Sequence, residues 1–108
     1  MAYVGTDPKY AAVDVAAIGD NTLVAAVTGR KIRVLACALV AGGAVTVRFE
    51  SGAGGTALTG QMSLAANGVL TLPYNQAGWF ETAAGALLNL ELSGAVSVDG
   101  ALVYAEVV

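Results

Sequence analysis

The stretch Arg30–Glu50, RKIRVLACALVAGGAVTVRFE, admits few conformations. Side chains of a strand alternate between two faces. The first half therefore sets Ile32, Val34, Ala36, Ala38 and Val40 against Arg33, Leu35, Cys37 and Leu39. From Val34 onward both sets are apolar. A single solvated sheet needs only one apolar face, so the second is expected to be covered, by another sheet or by another copy of the chain. The second half alternates in the half-buried manner, with Val45, Val47 and Phe49 one way and Thr46, Arg48 and Glu50 the other. Between the halves, Ala41-Gly42-Gly43 predicts a tight hairpin whose glycines supply the positive φ such a turn requires.

The rest of the chain keeps this rhythm. Tyr10–Ile18 reads as a strand with Ala11, Val13, Val15 and Ala17 on one face and Asp14 opposite. Its alanines also admit a short helix; the valines and the Gly19-Asp20-Asn21 turn signal favour the strand. A strand over residues 21–28 follows. After Glu50, Ser51-Gly52-Ala53-Gly54-Gly55 is a flexible connection, because neither a lysine nor a helix follows to make it a phosphate cradle. Gln61–Ala65 and Val69–Leu72 flank an Asn67-Gly68 turn, and Pro73 ends the second strand or places it at an edge. Leu88, Leu90 and Leu92 face in while Asn89 and Glu91 face out. The last stretch is either a hairpin at Asp99-Gly100 or one long strand kinked there, with Ala101, Val103, Ala105 and Val107 on one face. Turn signals this closely spaced select an antiparallel sandwich or barrel over alternating strands and helices. The expected architecture is one all-β sandwich domain over residues 10–108, preceded by an extended arm over residues 1–9, where Pro8 disfavours helix. Tyr3 and Val4 give the arm apolar groups to bury against a partner; a frayed terminus is the competing view.

Composition narrows the function. Of 108 residues, 56% are hydrophobic and only 12% charged, about half the usual charged share, so little charge keeps copies apart. A net charge of -3 argues against nucleic acid, which needs clustered Lys and Arg. The one small basic cluster, Arg30-Lys31-Arg33, reads as a solvated strand end. No apolar run reaches the roughly 18 residues of a membrane span without glycine or charge intervening.

Catalysis is not expected. The chain has no histidine, one cysteine and scattered carboxylates, so neither a serine–histidine pair nor a histidine metal site can be assembled from it. No cofactor is expected. Cys37 lies in an apolar strand, where a thiol behaves as a small hydrophobe. Tyr74, Trp79 and Phe80 make the densest aromatic group, either a glycan-stacking platform or the closure of a core end with the indole and phenol donating to backbone carbonyls.

The segments NTLVAAVTGRKIRVLACALVAGGAVTVRFESG, TALTGQMSLAANG, PYNQAGWFETAAGALLNLELSGAVSV and ALVYAEV together resemble small bacteriophage virion proteins with a jelly-roll fold. The resemblance covers about four fifths of the chain and implies a jelly roll of about eight strands. It implies a homotrimer that decorates or cements the outer surface of a phage head, with the major capsid protein as partner and the virion as location. The alternative it leaves open is a tail-fibre or spike module that binds a host glycan through Tyr74, Trp79 and Phe80. On the decoration view, Leu35, Cys37 and Leu39 are expected at the contact between copies, and Ala2, Tyr3, Val4 and Pro8 in a capsid-binding arm.

Overall fold

A computed structural model describes residues 7–108 of the chain. Among the described residues there are ten strands: β1 (Lys9–Val15), β2 (Gly19–Val24), β3 (Lys31–Ala41), β4 (Val45–Ser51), β5 (Thr56–Ala57), β6 (Met62–Leu64), β7 (Val69–Leu72), β8 (Phe80–Glu81), β9 (Leu88–Leu92) and β10 (Val98–Val107). They form two antiparallel sheets. The front sheet has the order β1-β10-β3-β7, with β8 also on β3; the back sheet has the order β2-β9-β4-β5, with β6 also on β4. β5 and β6 line up along successive parts of β4, and β7 and β8 along β3. Each of these pairs is one interrupted strand, so ten segments do the work of eight. Successive strands largely alternate between sheets, which is the interleaved wiring of a jelly roll.

That wiring corrects one expectation. β3 and β4 do not pair; they lie in opposite sheets, and residues 42–44 carry the chain across the sandwich. The two apolar inner faces meet across the core, whereas a hairpin within one sheet would leave both needing cover. Neither Gly42 nor Gly43 adopts a positive φ. Gly42 passes close to Ser97: its N–H donates to the Ser97 carbonyl at 2.7 Å, and a Cβ there would force the Ser97 hydroxyl to turn away. The Asn67-Gly68 turn likewise joins opposite sheets, with Asn67 at φ +62°, a left-handed position that asparagine tolerates better than most residues.

Between the sheets lie Ile32, Leu39, Phe49, Leu88, Leu90, Leu92 and Leu102, all fully buried. The alternation expected for residues 88–92 is present, as is the inward set Ala11, Val13 and Val15. Phe80 turns into this core and packs on Phe49, ring centroids 4.9 Å apart at 44°. Aromatic pairs in such tilted contact add to the area they bury.

β3 does not keep one phase. Its inward residues are Ile32 and Val34, then Cys37, Leu39 and Ala41. β10 sets Tyr104 opposite Val34 and Val103 opposite Ala36, so Leu35 has no residue opposite it. This is a β-bulge, and one extra residue exchanges the two faces of the strand beyond it. The two-sided apolar pattern is therefore explained within one chain. Cys37 and Leu39, expected at a contact between copies, are core residues, and burial pushes the Cys37 thiol up to about 11. Of that expected trio only Leu35 lies outside, in a small cluster with Ala105 and Val107.

β10 runs unbroken through Asp99-Gly100, so no hairpin forms there. Gly100 sits between Val13 of β1 and Leu39 of β3, and a Cβ on it would collide with the Ala38 carbonyl. Strand pairing this close demands glycine. Gly100→Ala is expected to lower stability by at least about 2 kcal/mol, read as a shift of the urea midpoint with unchanged m; an unshifted midpoint would contradict the close pairing.

Candidate functional site

Two assemblies of side chains stand outside the core, one polar and one apolar. The polar one occupies the outer side of the back sheet. Register sets Asp20 of β2 against Glu91 of β9 and Arg48 of β4, and in the next row Thr22 against Asn89 and Glu50. Glu50 and Asn89 point away from the core yet are 1% and 0% exposed. A buried amide and a buried carboxylate each need partners, and both have them. Asn89 donates from Nδ2 to Glu50 at 2.8 Å and to Asp20 at 2.9 Å, and accepts from the Asn21 N–H at 2.7 Å. Arg48 bridges Glu50 at 2.6 Å and Glu91 at 2.9 Å, and its hydrogen bond to Glu50 holds the guanidinium proton more tightly than usual. Gly54, in the glycine-rich connection, donates its N–H to Asp20 at 3.0 Å.

Carboxylate oxygens of Asp20, Glu50 and Glu91 lie within 4.8 Å of one another, close enough to share a cation. The guanidinium of Arg48 already serves two of the three, and among the described residues every buried side-chain polar atom has a partner. The arrangement is a closed network that joins three strands. Sequence reasoning placed Asp20 and Asn21 in a turn and treated Asn89 as an ordinary outward residue. Only the strand order brings them to Glu50. Asn89→Ala leaves the buried Glu50 Oε1 and the Asn21 N–H without partners while Arg48 keeps Oε2, so a loss of about 2–3 kcal/mol is expected in chemical denaturation; a neutral effect would contradict the network.

The apolar assembly is the outer side of the front sheet. Ala12, Ala101, Val103, Ala36, Ala38, Val40, Val69 and Thr71 point outward across four adjacent strands. Tyr10, 80% exposed, stands at one margin and the exposed Tyr74 at the other. Below the bulge, Leu35, Ala105 and Val107 floor a recess of about 450 Å³ walled by Arg33, Tyr74, Gln76, Asp7 and Pro8.

Charge sits only at the ends of this face. At one end Arg33 holds Glu81 at 2.8 Å, with Lys31 at 3.5 Å. Burial acts to raise the Glu81 carboxyl, but Arg33 and Lys31 outweigh it and leave the pKa lowered. At the other end Asp14 and Asp99 are paired directly across β1 and β10. A hydrogen bond that the protonated Asp99 carboxyl donates to Asp14, then partial desolvation and like-charge repulsion, raises the Asp99 carboxyl above its ordinary 3.8. A carboxyl whose folded pKa is raised binds its proton more tightly when folded. Its contribution to stability is thus present at low pH and is lost as pH rises through the raised value. Asp99→Asn is expected to flatten the pH dependence of the melting temperature in that window and to raise stability at neutral pH. A variant with an unchanged pH profile would contradict the pairing.

The aromatic group divides. Phe80 is in the core, the Trp79 indole donates to the Pro73 carbonyl at 2.8 Å, and Tyr74 borders the apolar face. Trp79 and Tyr74 remain 43% and 59% exposed, so of the three rings only Phe80 packs on the core, and a platform of three outward rings is not formed. Pro8 is exposed at the recess, while Ala2, Tyr3 and Val4 lie outside the described residues. No family model, curated protein or solved structure matches the chain.

Proposed function

We propose that the chain is a structural virion protein that binds the major capsid protein on the outer surface of a phage head, stabilises the shell and associates with copies of itself. The observation that carries this reading is the outer side of the front sheet, an exposed face of alanine and valine with charge confined to its ends. Apolar patches of this extent on a soluble domain mark surfaces that a partner covers. Each Å² removed from water contributes roughly 25 cal/mol, so such a face supplies affinity and needs no chemistry. Linked copies then hold a shell through several weak contacts at once, each rebinding faster than all can release. Lys9 belongs to β1, so the arm proposed to reach the capsid subunit is residues 1–8 rather than the expected 1–9. Three copies are what the sequence resemblance implies.

The glycan-binding fibre module is the second reading, supported by the exposure of Tyr74 and Trp79. It is weakened by the inward position of Phe80. Co-sedimentation with heads of the encoding phage separates the two. The full chain is expected to pellet with heads, and a chain lacking residues 1–8, which spares β1, to bind at least about tenfold more weakly as contacts are lost from a multivalent set. Full-strength binding by the shortened chain would remove the arm from the account, and binding to glycans without binding to heads would favour the fibre.

A further inference from the structure

We infer that the recess below the bulge is a binding site for one neutral sugar ring. The inference goes beyond shell binding and does not need it. It shares with the second reading only the class of ligand, and moves the site from three aromatic rings to a recess that Tyr74 alone of the three lines.

The phase change in β3 builds this recess. Leu35, left without a residue opposite it on β10, turns its side chain outward and meets Ala105 and Val107 as an apolar floor. Bulges recur beside functional sites because they re-aim a side chain in this way. The backbone at the bulge also holds one wall. The Leu35 carbonyl accepts from the Asn75 N–H and the Val34 carbonyl from the Trp79 N–H, both at 2.8 Å. Between them Asn75 closes the loop on itself: its carbonyl accepts from the Gly78 N–H at 2.9 Å and its Oδ1 from the Ala77 N–H at 3.0 Å. Gly78, at φ +88°, lies on the stem of Arg33, where a Cβ would strike Cγ and Cδ. Arg33 is fixed in turn by Glu81, which accepts from its Nε at 2.8 Å. Tyr74, Gln76 and Arg33 therefore stand on a wall set before any ligand arrives, which lowers the ordering cost of binding.

The chemistry of the walls selects the ligand. The floor is only 3–6% exposed, so a bound group makes most of its contact with the walls, where Tyr74 is exposed. Among the described residues, the Tyr74 hydroxyl, the Gln76 amide and Nη1 of Arg33 have no side-chain hydrogen bond within the chain. With the Asp7 carboxylate they set donors and acceptors around a space of about 450 Å³, a volume ordinary for a small-molecule site. A leucine or phenylalanine side chain would strip water from these groups and return no hydrogen bond. A sugar ring has an apolar C–H face to lie on the Tyr74 ring, and hydroxyls at its edge that both donate and accept. Charge narrows the class further. Arg33 and Lys31 are offset by Glu81 and Asp7, so no net positive charge is left to favour an acidic sugar.

Backbone amide shifts of the isotope-labelled full chain test this, under titration with glucose, galactose, N-acetylglucosamine, glucuronate and N-acetylleucinamide. At least one neutral sugar is expected to saturate with a Kd of about 1–20 mM, moving the amides of Arg33, Leu35, Gln76 and Val107. Glucuronate is expected to bind no tighter than glucose. Tyr74→Ala and Gln76→Ala, both at exposed positions, are each expected to weaken the sugar about fivefold, with circular dichroism showing that the fold holds. Tyr10→Ala removes the exposed ring at the far margin of the same face and is the control expected to leave binding intact. No saturation by any neutral sugar, shifts that miss these amides, tighter binding of glucuronate than of glucose, saturation by N-acetylleucinamide in place of the sugars, or binding indifferent to either variant would each overturn the inference. A chain that binds sugar but does not pellet with phage heads removes the decoration reading alone, and one that pellets without binding sugar removes this inference alone.

Discussion

The unpartnered position of Leu35 governs how the apolar side chains of this molecule are shared between inside and outside. β3 lies in the interior of the front sheet, between β10 and the interrupted strand β7/β8. Had its phase run unbroken, Cys37 and Leu39 would have faced out and Ala36, Ala38 and Val40 in. The extra residue exchanges those sets. Larger side chains then fill the space facing β4 and β9, and methyl groups are left outside. The core gains volume from this exchange, and the outer face becomes flat.

A flat outer face of small side chains has a physical consequence. Interiors reach high density by interdigitating large and small groups, and an alanine surface can approach another alanine surface closely without rearrangement. The side chains to be ordered are short, so little rotamer entropy is lost when the face is covered. Affinity is then limited by area. The back sheet is built on the opposite principle: its outer side is closed by the Arg48–Glu50–Asn89 network, which satisfies its buried polar groups internally. The two sides of the sandwich thus differ in kind, one closed by a polar network and one left as exposed apolar surface.

Much of the strand content was legible in the amino-acid sequence because alternation survives in short strands: Leu88, Leu90 and Leu92 face in, as do Val45, Val47 and Phe49. The sandwich followed from turn spacing. What period-two reading misses is any event that changes phase or partner. A bulge at Leu35 leaves no local mark, since leucine suits either face, so Cys37 and Leu39 were assigned to the wrong side. Pairing was equally hidden. Ala41-Gly42-Gly43 has the composition of a hairpin, yet a chain crossing between sheets also places small residues where it passes Ser97. The Asp20–Asn89–Glu50 contact spans three strands drawn from distant parts of the chain, and no spacing in the sequence encodes it.

The proposed function requires that the front face left exposed by a single chain be covered when copies associate. Small-angle X-ray scattering across a dilution series measures this directly. The account predicts a radius of gyration near the single-chain 13.2 Å at high dilution, rising with concentration to the plateau of an oligomer, with the forward scattering per unit mass rising in step. A radius that stayed near the single-chain value up to high micromolar concentration, with constant forward scattering per unit mass, would contradict it.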